Sequence, residues 1–76
     1  MTKEEFAVLA AEALSDIAEE MEKNCKEVPE LNGYYFWQKQ RGGKSVLFNG
    51  DGERLRATSS VSFERHLDAF KQGRRN

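Results

Sequence analysis

GYYFWQKQRGGKSVLFNGDGERL, residues 33–55, decides the fold of this 76-residue chain. It opens with four consecutive rings, Tyr34, Tyr35, Phe36 and Trp37, and holds two glycine-bearing breaks, Arg41-Gly42-Gly43 and Gly50-Asp51-Gly52. Apolar runs between such breaks read as short strands joined by hairpins. Successive side chains of a strand point to opposite faces, so at most two of the four rings can share one core. The parity of the two hairpins therefore decides what lies inside.

A two-residue type I′ turn at Asp51-Gly52 sets Phe48 opposite Leu55 and Val46 opposite Ala57, apolar against apolar. A turn at Asn49-Gly50 would set Val46 against Glu53 and Phe48 against Asp51, and is rejected. At the first break, a two-residue turn at Gly42-Gly43 or Arg41-Gly42 puts Tyr35 and Trp37 on the Val46/Phe48 side, whereas a three-residue loop would reverse them. The expectation is three strands, roughly 34–40, 44–49 and 53–59, whose core face is Tyr35, Trp37, Val46, Phe48, Leu55 and Ala57. Tyr34, Phe36 and Leu47 then share the far face with Gln38, Asn49, Arg54, Arg56 and Thr58.

Upstream, Thr2 and Glu5 form a capping-box pattern. Phe6, Leu9, Ala10, Ala13, Leu14, Ile17, Met21 and Cys25 recur at helical spacing, so one helix is expected to run on and fade between Asn24 and Glu27. Residues 27–33 read as a connector, because Pro29 disfavours helix at Val28 and Asn32-Gly33 is a turn signal. Downstream, Ser60 or Ser62 can cap a second helix carrying Phe63, Leu67 and Phe70, and Gly73 ends it. The predicted fold is an α+β single domain over residues 1–73: two layers, helix, three-stranded antiparallel meander, helix, with both helices on one face of the sheet. Residues 74–76 read as a frayed tail.

Leaving Tyr34 and Phe36 wet would forgo burial gains of about 4 to 6 kcal/mol each, at about 25 cal/mol/Å². A face that does so is expected to meet a partner. Tyr34, Phe36, Leu47, Arg54 and Arg56 are therefore the candidate interaction residues, for a protein partner or a second copy of the chain. The alternative is nucleic acid, with the rings stacking on bases and Lys39, Arg41 and Lys44 joining the arginines on phosphates. Charge is split along the chain: residues 1–33 carry nine Asp/Glu against three Lys/Arg, and residues 34–76 carry four against nine. A basic second half suits an acidic partner, while the acidic first half weighs against nucleic acid.

Catalytic and metal chemistry find little support. His66 and Cys25 are the sole histidine and cysteine, so one chain cannot assemble a His/Cys metal set. Gly42-Gly43-Lys44-Ser45 mimics the end of a phosphate-binding loop, but the first glycine of that motif is replaced by Gln38 and the segment joins two strands. No cofactor, small-molecule substrate or membrane association is expected; the single cysteine and acidic N-terminus lacking an apolar run point to the cytoplasm, and a two-layer domain this small offers little volume for a catalytic cleft, so it is expected to be non-enzymatic. Double-stranded-RNA-binding domains share the helix, three strands, helix order. Their Gly-Pro-rich second loop and the Lys cluster opening the second helix are absent here, so the sequence is assigned to no family.

Overall fold

The structure, a computed structural model, describes residues 1–40, 42–58 and 60–76. Helix α1 (Lys3–Leu14) starts at the expected capping box: the Thr2 hydroxyl accepts from the Glu5 N–H at 3.2 Å, and the Thr2 N–H donates to the Glu5 carboxylate at 2.8 Å. The Thr2 N–H on its carboxylate, foremost, and the Thr2 hydroxyl beside it hold the Glu5 carboxyl below its ordinary value. The helix does not continue to Asn24. Ser15 adopts the left-handed conformation (φ 56°), its N–H and that of Asp16 both bond Ala11 O, and a short helix α2 (Ala18–Lys23) follows. Gln38 secures this corner by donating to Leu14 O and to the Asp16 carboxylate, each at 3.0 Å. The break turns Ile17 out to 59% exposure, while Met21 returns to the core.

Four strands form an antiparallel meander in the order β1 (Cys25–Val28), β2 (Gly33–Trp37), β3 (Lys44–Phe48) and β4 (Arg54–Thr58). Strand β1 occupies part of the expected connector and pairs with β2, linked by a 3-10 turn at Pro29–Leu31. Both hairpins have the opposite parity to that expected. Phe36 faces Val46 across β2 and β3, and Phe48 faces Arg54, with Leu47 opposite Leu55, across β3 and β4. The cause in the second hairpin is a three-residue loop: Asn49 N–H bonds Glu53 O, Gly52 takes φ 85°, and Asn49 Oδ1 accepts from Asp51 and Glu53 N–H at 3.0 Å. A type I turn followed by a left-handed glycine is the usual form of such loops. In the first hairpin, Gln38 N–H bonds Lys44 O, Gln38 Oε1 accepts from Lys44 N–H, and Gly42 takes φ 76°.

One odd residue in each loop exchanges the two faces of the meander. Phe36, Val46 and Phe48 lie on one face, buried with Phe6, Ala7, Ala10, Ala11, Leu14 and Met21, and half-buried Tyr34 and Cys25 pack at the margin. Phe6 stacks tilted on Tyr34 and Phe48, with ring centroids 5.4 and 5.6 Å apart. The opposite face buries Val28, Leu47 and Leu55 under Phe70 of helix α3 (Phe63–Lys71), with Tyr35, Phe63 and Leu67 around them. Ser62 caps α3 by accepting from Arg65 N–H at 3.3 Å, and Gly73 reverses the chain at φ 97°. The domain is thus α+β with three layers rather than two, α1 and α2 on one face of the sheet and α3 on the other. The four rings divide two and two between the two faces, Tyr34 and Phe36 on the α1 side, Tyr35 and Trp37 on the α3 side.

Candidate functional site

The expected docking face does not exist as an open surface. Phe36 and Leu47 are 0% exposed, on opposite faces of the sheet, and Tyr34 lies against Phe6. Arg54 and Arg56 remain accessible on β4, on the α1 side, because they pair with Phe48 and Val46. Lys44 is exposed at the start of β3 on that same side, Lys39 is exposed in the first hairpin loop, and Arg41 lies outside the described residues. The structure brings together Lys44, Arg54 and Arg56 from the sequence-derived set and separates the aromatic members from them.

Strand β4 is a sheet edge. Gln38 N–H bonds Lys44 O, so by the alternation of an antiparallel ladder Val46 spends its backbone groups on β2. Arg56, opposite Val46, therefore turns its N–H and C=O outward, as does Arg54. Asn76 takes three of these four groups, all but the Arg54 N–H. Its N–H donates to Arg54 O at 3.2 Å, its Nδ2 donates to Arg56 O at 3.3 Å, its Oδ1 accepts from Arg56 N–H, and its own backbone O accepts from Arg54 Nε at 3.2 Å. A carboxamide carries the same donor and acceptor as a peptide group, so Asn76 imitates a residue of a neighbouring strand. Residues 74–76, expected to fray, are strapped along the edge. Arg75 holds the strap: its guanidinium lies 3.6 Å over the Phe70 ring, donates to Phe70 O at 2.8 Å, and sits 3.6 Å from the Glu53 carboxylate.

Hollows flank this edge on both faces. On the α1 side, Leu9, Phe48, Glu53 and Arg54 line one of about 430 Å³, and Lys44 and Arg56 share another of about 290 Å³. On the α3 side, Leu55, Ala57, Val61, His66 and Ala69 line one of about 490 Å³. Asn76 borders all three. Among the described residues, Lys44, Arg54, Arg56 and Arg74 have no carboxylate within ion-pair distance.

Sequence reasoning also missed a buried polar pair under α3. Ser45 and His66 are 3% and 1% exposed, with Ser45 Oγ 3.3 Å from His66 Nδ1 and His66 Nε2 2.6 Å from Leu55 O. A carbonyl only accepts, so Nε2 carries the proton and Nδ1 accepts from the serine hydroxyl. Burial lowers the His66 pKa, partly countered by the bond to Leu55. Cys25 belongs to the other face. The signal for the pair was the alternation itself: with the correct parity, Ser45 joins Leu47 on the α3 side. Nothing in the sequence signals the Asn76 strap.

Among the described residues, no group of three His, Cys, Asp or Glu side chains is placed to hold a metal ion, and no helix is long and apolar enough to cross a membrane. Comparison with family models, with curated proteins and with solved structures gives no match to this chain.

Proposed function

We propose that this chain is a non-enzymatic protein-interaction domain that receives an extended segment of its partner as a further antiparallel strand along β4. The observation that carries this reading is the occupation of the β4 edge by Asn76, whose peptide and carboxamide groups bond Arg54 O and both backbone groups of Arg56, as a neighbouring strand would. Strand addition draws its affinity from such main-chain bonds and its specificity from alternate side chains falling on the two faces. Hollows on both faces beside β4 supply the room for them. With both faces of the sheet covered by helices, the edge carries the outward-facing hydrogen-bonding groups that an interaction can use. The non-enzymatic part rests on the Ser45–His66 pair, where the imidazole's second nitrogen meets a backbone carbonyl and not a carboxylate, and the serine is shut from solvent.

A displayed library of random linear peptides tests the reading. Binders should protect the Arg56 amide from hydrogen exchange, and Arg56→Pro should abolish their capture. Proline there removes the outward N–H, with its bond to Asn76, and the guanidinium, and leaves the ladder to β3 intact; Arg56→Ser, which keeps the N–H, should retain capture. Binders that protect the outer surface of α3 and ignore Arg56→Pro would defeat it.

Nucleic acid is the second reading, supported by the convergence of Lys44, Arg54, Arg56 and Arg74 on one edge. It has lost its stacking platform, because the rings that were to meet bases are packed under the helices. Binding to mixed-sequence RNA with a steep salt dependence would support it.

A further inference from the structure

We infer that the strand accepted at β4 is acidic and alternating, with Asp or Glu facing Arg54 and Arg56 and an apolar residue between them facing the α3 side. The inference deepens the strand-addition reading and rests on it.

Residues directly opposed across an antiparallel pair share a face, so a partner's alternate side chains must sit beside Arg54 and Arg56 on the α1 side. Lys44 borders the same hollow as Arg56, which gathers three cations on two neighbouring strands. No carboxylate of the described residues neutralises them. Opposite charges across strands stabilise and like charges destabilise, so this face favours carboxylates and rejects lysine or arginine. The intervening position opens on Leu55, Ala57, Val61 and Ala69, the apolar part of a hollow that Thr58, His66, Arg74 and Arg75 also line. A second copy of the chain fits poorly. Two β4 edges paired about Leu55 set Arg54 against the other copy's Arg56, and pairing about Arg56 sets that residue against itself.

The strap must leave before a partner strand can bind, so Asn76 competes with the ligand. Its carboxamide makes two of the four bonds to the edge. Removing it should raise the populated fraction of open edge, and affinity follows that fraction.

The test uses calorimetric titration of three short, terminally blocked peptides: alternating Glu and Val, alternating Gln and Val, and alternating Lys and Val. With the full chain, the Glu peptide should bind at least about tenfold more tightly than the Gln peptide, equivalent to about 1.4 kcal/mol, and the Lys peptide should not bind. Arg54→Ser with Arg56→Ser should erase that preference while leaving both neutral and acidic peptides bound. Asn76→Ala should tighten Glu and Gln peptides alike by roughly tenfold. Equal affinity for the Glu and Gln peptides would overturn the acidic specificity and leave strand addition standing. Failure of all three peptides to bind the Asn76→Ala chain would overturn strand addition itself. Competition by mixed-sequence RNA at lower concentration than the Glu peptide would assign the edge to nucleic acid instead.

Discussion

Truncating Phe36 to alanine separates the two possible parities of the meander most sharply. Phe36 is 0% exposed, and its ring lies 6.1 Å from Phe48 and 6.2 Å from Tyr34. Burying a phenylalanine ring removes about 150 to 250 Å² from water, worth about 4 to 6 kcal/mol at about 25 cal/mol/Å² as an upper estimate. Measured Phe→Ala changes in cores cost about 3 to 5 kcal/mol. A domain of this length has a total stability of about 4 to 11 kcal/mol, so Phe36→Ala removes roughly a quarter or more of it and leaves a weakly stable sequence unfolded. Urea titration followed by circular dichroism reads the effect. With a slope of about 1 kcal/mol/M, the midpoint should fall by roughly 3 M or more at unchanged slope. Trp37→Ala is the control, because Trp37 is half-buried at the end of β2 on the α3 side and should lose less. Were Phe36→Ala to stay within about 1 kcal/mol of the parent while Trp37→Ala unfolded, the rings would face the other way and the three-layer account would fail.

Two further outcomes follow from particular contacts. A Cβ at Gly33 would lie 1.9 Å from Phe48 O, a backbone atom, so Gly33→Ala must push β2 from β3; it should destabilise by about 1 to 3 kcal/mol or more in the same titration, with loss of dispersed amide signals around Phe48. His66 is kept neutral by burial, with a folded pKa below its ordinary 6.5, so the unfolded chain binds the extra proton; stability should fall as pH drops through about 6.5 toward the folded value, and His66→Gln should flatten that part of the profile between about pH 5 and pH 8.

Much of the architecture is legible in the residues, and what is not has identifiable physical causes. Thr2 with Glu5, Ser62 and Gly73 mark helix ends through side-chain or backbone chemistry that acts locally, and the three central strands announce themselves by apolar runs between glycines. Strand β1 does not: Cys-Lys-Glu-Val has charges at its centre and a single buried residue, Val28, because an edge strand beside a helix margin buries little. The break at Ser15 leaves no mark in the apolar spacing, which runs through it to Met21; the corner combines local bonds to Ala11 O with those of Gln38, far along the chain. Parity went astray because matching Phe48 with Leu55 looked better than matching it with Arg54. The pattern Asn49-Gly50-Asp51-Gly52 is equally served by a two-residue turn or by a three-residue loop whose last glycine is left-handed. Asn49 decides it by bridging Asp51 and Glu53, a bond the composition does not rank.

That single parity determines where function can lie. Had both helices packed on one face, the rings at Tyr34 and Phe36 would have been the anchors and the arginines their rim. With each face holding two rings, a small domain needs a helical layer on both sides, and its broad apolar surfaces are consumed in folding. What stays available is the sheet's perimeter. Of its two ends, β1 presents one cation and one carboxylate on opposite faces, Lys26 on the α3 side, drawn over the Phe63 ring at 3.9 Å, and Glu27 on the α1 side. β4 presents Arg54 and Arg56 with Lys44 behind them and no compensating carboxylate among the described residues, and it is the edge that residue 76 already grips. An electrostatic bias and a strand-like occupant coincide on one edge: the first comes from side chains on the α1 side, the second chiefly from backbone groups in the plane of the sheet, with Arg54 taking part in both through its Nε bond to Asn76 O. A peptide that exploits both should bind there in preference to the opposite end, and amide exchange at Lys26 should be unchanged by it.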